Sequence, residues 1–489
     1  MATSGLFIKK SIKSLLAEAS DTKHGLKRTL SAWNLTTMGI GAIIGAGLFV
    51  LTGQAAAEYA GPGVIFSFIL AAIICSFAAL CYAEFSSLIP IAGSAYSYAY
   101  VTMGELTAWT IGWGLTLEYL FSSATVAVGW SGYFVSFLRD FHINIPAFLS
   151  QAPLSYEIAS GWHSSGALIN LPAMCIVAIM GLLVACGIKA AASFNNVMVI
   201  IKISVILIFI ACGIGFIQPS NWTPFVPENT GMFGEFGWSG VLRGAGVVFF
   251  AFIGFDAIST LSQEAKDPQK DMPKGMLGSL GICSLAYILF GLVLTGIVSY
   301  KMLSVPDPIA VAVDALGQSF LWLRLIVKVA ILAGLTSVIL VMILGQARIF
   351  YTMALDGLLP KAFGKVHPKY QTPFFTTLVV TIICMLVAGL FPVGILGQLV
   401  SMGTLLAFAI VCFGILILRY TQPQLNRPFK TPFVPWVPLA GTIACVIQMI
   451  ALPSVTWVQL VIWMGVGYWI YFTYGAKHSK VRALSTKKR

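Results

Sequence analysis

Glu118, Lys202 and Asp256 each stand inside an apolar run long enough to cross a lipid bilayer. An ionisable group is costly there and persists where it binds a ligand, relays a proton or pairs across helices. Glu118, in Trp113-Gly114-Leu115-Thr116-Leu117-Glu118-Tyr119, lies too deep to reach an interface. It could carry a proton, partner a cationic substrate side chain, or simply hydrogen-bond a neighbouring helix. Lys202, in Val199-Ile200-Ile201-Lys202-Ile203-Ser204, could snorkel or could place an internal ammonium on the carbonyls of an opened helix, where a bound cation would otherwise sit. Asp256 ends the run Phe249-Phe250-Ala251-Phe252-Ile253-Gly254-Phe255-Asp256, where a structural cap is the plainer alternative.

The backbone supplies the other chemistry. In Gly39-Ile40-Gly41-Ala42-Ile43-Ile44-Gly45-Ala46-Gly47, four glycines fall within nine residues. Each costs a helix roughly 1 kcal/mol relative to alanine. Close helix packing through Gly41-x-x-x-Gly45 is one reading. The other is a helix that opens, so that freed N–H groups and the N-terminal dipole of the next half-helix bind a carboxylate. The run is neither a dinucleotide fingerprint nor a phosphate loop, having no preceding strand and no Gly-Lys-Ser/Thr ending. A matching break at residues 251–254 would offer carbonyls to an ammonium, with Phe250 as a cover and the flexible Met342 as a pocket wall.

These residues need elements to hold them. Hydrophobic residues make up 58% of the 489-residue chain and charged residues 9%, against about 25% charged in soluble domains. The chain reads as an all-α integral membrane protein. At about 20 apolar residues per span, twelve spans fit: 33–58, 63–88, 95–125, 167–187, 193–217, 240–263, 276–299, 320–353, 373–391, 397–419, 433–453 and 456–474. Residues 139–165 and 306–317 read as external stretches. Basic residues concentrate in the head (Lys9, Lys10, Lys13, Lys23, Lys27, Arg28), at Lys189, in the 264–274, 355–372 and 419–432 loops, and in the tail. The other side holds Arg139, Arg243, Lys301 and Arg324. The asymmetry predicts cytoplasmic termini. Basic residues gathered mainly at the two ends and in short loops between spans argue against nucleic-acid binding. The nine cysteines are scattered through apolar segments without a CxxC, so neither a disulfide framework nor a metal site is expected.

Spans 1 and 6 are both glycine-interrupted and lie five spans apart. Five is odd, so two such units would be inverted, the arrangement that points to a transporter site. The division is a cytoplasmic segment 1–31, a first repeat 32–217, a second repeat 240–420, two appended spans in 433–474 and a basic cytoplasmic tail 475–489.

The chain resembles the amino acid–polyamine–organocation superfamily, in its cationic amino acid transporter-like branch. The carrying residues are Leu26-Lys27-Arg28-Thr29-Leu30, the 39–47 run with Phe49-Val50-Leu51-Thr52-Gly53, Pro90-Ile91-Ala92-Gly93-Ser94-Ala95-Tyr96, the 249–256 run, and Gly345-Gln346-Ala347-Arg348 with Asp356-Gly357-Leu358-Leu359-Pro360. The resemblance implies the 5+5 inverted-repeat (LeuT-type) fold, with helices 1 and 6 broken, and alternating access. It puts the substrate carboxylate at Ile43, Gly45, Ala46 and Gly47, and the amino group at Phe250, Ala251 and Ile253. Met342 and Glu118 are placed beside the side chain. It assigns proton coupling to Lys202, Glu118 and Asp256, with Lys202 standing for a second sodium ion, so no sodium and no other cofactor is expected. Ala46 and Leu355 stand where many members carry Thr and Arg; a side-chain contact at the first and a gate ion pair at the second are therefore not expected.

The expected function is proton-coupled import of L-amino acids across the inner (plasma) membrane. The alternatives are an amino acid exchanger, such as an arginine/ornithine type, and a non-transporting sensor. An enzyme is not expected, since the sequence shows no HExxH, no clustered His/Asp and no evident triad. Cationic against neutral preference and a small single-span accessory protein stay open at this stage.

Overall fold

A computed structural model describes residues 6–11, 28–45, 47–157, 161–305, 308–451 and 454–487. Ser31 and Asn34 open helix α1 (Ala32–Ile43) with a reciprocal capping box. Ile44 then leaves the helix in an extended conformation (ψ 105°). Helical bonding resumes as a wide turn at Gly47–Leu51 and continues to Ala60. The Gly61-Pro62-Gly63 turn leads into α2 (Val64–Leu88).

The third apolar segment is not one helix. It divides into α3 (Ser94–Thr102), α4 (Glu105–Thr116), a wide turn at Leu117–Phe121, and α5 (Ser122–Asp140). The expected start at residue 95 therefore belongs to a short separate helix that turns at Met103-Gly104. Next come α6 (Leu171–Ala185), α7 (Ile188–Gly213) and α8 (Gly237–Phe249). Tight 3₁₀ turns at Phe250–Phe252 and Asp256–Glu264 flank Gly254. The chain continues through α9 (Pro268–Ile297), α10 (Pro308–Ala315), α11 (Leu321–Leu355), α12 (Phe374–Leu390), α13 (Val393–Thr421), α14 (Trp436–Ala451) and α15 (Ser454–Ile470).

Two loops are more ordered than their composition predicts. Residues 139–165 contain an antiparallel hairpin, Leu154–Glu157 with Gly161–Ser164. Residues 306–317 contain α10, whose buried Pro308, Ile309, Ala312 and Val313 give it an apolar face to pack.

Among the described residues, six helices are long and apolar enough to cross a membrane: Thr52–Leu88, Ile188–Phe216, Gly237–Glu264, Pro268–Ile297, Gln318–Leu355 and Leu399–Thr421. Burial is inverted relative to a soluble protein. Leu207, Ile382, Leu386, Val458, Val461 and Ile462 face outward, whereas Glu84, Glu105, Glu118, Lys202, Asp256, Glu264 and Arg348 are fully buried. Such a chain is a multi-pass membrane protein. α9 packs on α2 and α1, and α8 packs on α2. α11 packs on α5, α7 and α6. The functional residues lie where these two groups meet.

Candidate functional site

The ammonium of Lys202 reaches α1 from α7. It donates to the carbonyls of Gly41 (2.9 Å) and Ile44 (2.9 Å) and to Ser337 Oγ on α11 (2.8 Å). An ammonium has three donors, and all three are used. The acceptors exist because α1 stops: carbonyls in the last turn of a helix have no intrahelical partner. Ser337 Oγ in turn bonds the carbonyls of Gly41 (2.9 Å) and Gly334 (2.7 Å). Lys202 is completely buried, so it does not snorkel.

The second break lies against the first. A Cβ on Gly47 would fall 2.3 Å from Ala251 Cα, so any side chain there would force the two backbones apart. Gly254 has φ +122°, a conformation L-residues rarely adopt, and its missing Cβ leaves room for Ala42 and Met342. Tyr287 of α9 joins both breaks. Its hydroxyl lies 2.9 Å from Ile43 O and 2.8 Å from Ala251 O, and its ring packs against Phe68 and Phe252.

A small cavity opens between the breaks, lined by Ala42, Ile43, Gly45, Gly47, Ser122, Val126, Phe250, Ile253, Val338 and Met342. Six of the residues expected from sequence therefore meet here: Ile43, Gly45, Gly47, Phe250, Ile253 and Met342. Ala46 lies outside the described residues. Ala251 is not among the described lining residues, and its carbonyl accepts the Tyr287 hydroxyl. Glu118 does not line the cavity. The wide turn at 117–121 directs it to Asp256, beside Thr404. Tyr119 donates its hydroxyl to Asp256 Oδ2. Among the described residues, no side chain or backbone group sits in hydrogen-bond geometry with either oxygen of Glu118 or with Asp256 Oδ1. A buried carboxyl pair with open acceptor positions can accept and release a proton. No group of three His, Cys, Asp or Glu side chains that could hold a metal occurs among the described residues.

Ion pairs close the end of the bundle where residues 6–11 and 476–487 converge. Lys10 pairs with Asp356 (2.5 Å), which also accepts Tyr96 Oη (2.7 Å). Arg348 grips Glu264 with two nitrogens (2.7 and 3.3 Å). Glu105 accepts Tyr100 Oη (2.7 Å), Tyr471 Oη (2.9 Å) and Arg482 Nε (2.7 Å). Leu355 contributes no charge; the buried ion pairs at this end are those of Lys10 with Asp356 and Arg348 with Glu264.

Sequence reasoning missed Tyr287, Ser337, Ser122, Val126 and Val338. Tyr287 carried a signal, since a tyrosine in mid-span must find its hydroxyl a partner. The others are ordinary residues whose role comes from helix rotation. Tyr287→Phe keeps the ring and removes the donor to two carbonyls, which costs about 1–3 kcal/mol. The expected result is a lower melting temperature in detergent and roughly tenfold slower uptake; parent-like values for both would deny the hydroxyl this role.

Residues 30–476 match the amino acid permease family. The chain is 46% identical to a methylthioribose transporter of Bacillus subtilis over 476 residues, covering 97% of this chain and 99% of the relative. It is 43% identical to a branched-chain amino acid permease of the same organism, again covering 97% and 99%. It is 38% identical to the mouse cationic amino acid transporter 4, covering 83% of this chain and 62% of that protein.

Proposed function

The chain belongs to the amino acid permease family, and from that premise we propose that it imports neutral L-amino acids by proton symport through alternating access. One observation carries the choice of substrate. Among the described residues no charged side chain lines the cavity where the two backbone breaks meet, and the wall away from the breaks is Val126, Val338 and Met342 with Ser122. That wall suits an aliphatic or thioether side chain, and it gives a cationic one no counter-charge. The name of the branched-chain relative supports the same reading.

The backbone handles the common part of an amino acid. N–H groups at Gly45, Ala46 and Gly47, at the start of the second half of helix 1, take the carboxylate. Carbonyls between Phe250 and Ile253 take the ammonium. Those of Gly41, Ile44, Ile43 and Ala251 already hold Lys202 and Tyr287. The architecture proposed is twelve spans in a 5+5 inverted repeat with helices 1 and 6 broken, in the plasma membrane, with cytoplasmic termini. In this reading α1, α2, α8 and α9 rock against α5, α7 and α11. Lys202 occupies the place of a coupling cation, so no sodium is needed. Two adjacent ionised carboxylates repel in an apolar interior, so Glu118 and Asp256 take up one proton with the substrate.

Competition of radiolabelled uptake into proteoliposomes by the twenty amino acids, arginine included, tests the substrate class. Neutral aliphatic competitors are expected to win. Arginine as the best competitor, or a requirement for preloaded substrate, overturns the reading. 5-Methylthioribose belongs in the same panel because of the 46% identical relative; its uptake with no amino acid uptake would replace the amino acid as substrate. Glu118→Gln is expected to lower proton-driven uptake about tenfold or more, within the range of positioned acid–base groups, while counterflow between equal substrate pools persists. An unchanged response to the proton gradient removes Glu118 from coupling.

A further inference from the structure

We propose that Ser122 is a specificity-determining residue that makes the pocket favour neutral substrates with a side-chain hydroxyl, threonine over its isostere valine. This rests on the amino acid reading of the cavity given above. Among the residues that line the cavity, Ser122 alone has a side-chain oxygen or nitrogen. It is 2% exposed, so its hydroxyl serves no solvent-facing role.

The hydroxyl is left open by the local backbone. A serine in a regular helix can return its hydroxyl to the carbonyl four residues earlier. Its neighbour Thr125 does so, bonding Phe121 O at 2.7 Å, and Ser123 bonds Ile339 O across to α11 at 3.4 Å. Ser122 follows the wide turn Leu117–Phe121, where its own N–H is shared between Glu118 O and Tyr119 O. Its Oγ has no hydrogen bond to a described residue. Wide turns of this kind are frequent where a helix must re-aim a side chain at a site.

The direction of the hydroxyl follows from what surrounds the cavity. Gly45, Gly47, Phe250 and Ile253 form one side and belong to the breaks. Ser122 and Val126, four residues apart on α5, and Val338 and Met342, four apart on α11, form the other. Backbone groups at the breaks bind the carboxylate and ammonium, so the α5–α11 wall meets the substrate side chain. A lone hydroxyl in an otherwise apolar wall is a donor and acceptor at the γ position. Valine would leave it unpaired; threonine would satisfy it. Ser122 can also fall back on a carbonyl of the wide turn, so the discrimination is modest, about tenfold, well short of sites that bind a substrate hydroxyl with several fixed groups.

The test is the ratio of inhibition constants of L-threonine and L-valine against a common labelled substrate, in the parent, Ser122→Ala and Ser122→Thr. A ratio does not depend on how much protein folds. Threonine is expected to bind about tenfold tighter than valine in the parent and in Ser122→Thr, and about equally in Ser122→Ala. A parent that favours valine, or a ratio that Ser122→Ala leaves unchanged, overturns the assignment. If no amino acid competes at all, the transport reading fails, and this inference fails with it.

Discussion

Lys202→Ala is expected to reduce uptake at least about a hundredfold, because it removes three hydrogen bonds at one stroke, leaving the buried Ile44 carbonyl unsatisfied at about 1–3 kcal/mol and Gly41 O with Ser337 Oγ alone. The carbonyls concerned are Gly41 O and Ile44 O, the last acceptors before the break in α1. Their position sets where α1 ends, and so the direction of the Gly45 and Gly47 N–H groups proposed to bind a carboxylate. Lys202→Met keeps most of the side-chain volume and loses only the ammonium, so it separates packing from charge. Both variants are expected to fail in proton-driven uptake into proteoliposomes, with Lys202→Met the nearer to the parent in melting temperature. A parent protein whose uptake depends on sodium would sink the idea that the lysine replaces a cation. Full activity in Lys202→Met would show that the ammonium is dispensable.

Arg348→Ala is expected to be the most destabilising single substitution at the end of the bundle that carries both termini. Arg348 and Glu264 are both fully buried, and the guanidinium holds the carboxylate with Nη2 and Nε. The backbone carbonyl of Glu264 also accepts the N–H groups of Thr29 and Leu30, at 2.9 Å each. The pair therefore ties the start of α1, the segment after the second break and α11 into one joint. Removing one partner strands a buried charge, at about 3–5 kcal/mol. Arg348→Lys retains charge without the two-pronged geometry and is expected to recover only part of this. An apolar pair, Arg348→Met with Glu264→Leu, is expected to restore melting temperature but not transport, since a joint that must part and re-form is then replaced by permanent packing. Arg348→Ala melting with the parent would contradict the stability prediction. Full transport by the apolar pair would assign the ion pair to stability alone.

The two kinds of residue differed in how readable they were. The 39–47 run was legible because glycine spacing and the cost of unpaired backbone in lipid are both local properties. So were Lys202, Asp256 and Glu118, since any ionisable group in a long apolar run stands out. The expectation that Lys202 could meet the carbonyls of an opened first span corresponds to two contacts, with Gly41 O and Ile44 O, beside a third to Ser337 Oγ. Glu118 and Ala251 were identified as candidates without their directions. One extra residue in the turn at 117–121 rotates Glu118 to Asp256, and Tyr287, distant in sequence, takes the Ala251 carbonyl.

By itself the sequence determined the membrane class, the apolar segments, the two glycine-weakened stretches and the few charged groups among them. Lipid imposes those features residue by residue: spans need a minimum length, backbone groups need partners, and charges need reasons. Only the tertiary structure decided which charges face one another, that Tyr287 joins the two breaks, that Ser122 opens into the cavity, and that Lys10 and Arg348 close the end near both termini. These depend on helix rotation and on pairings across hundreds of residues. A shift of one residue in a turn moves a side chain on a helix by about 100°, and no local spacing records it.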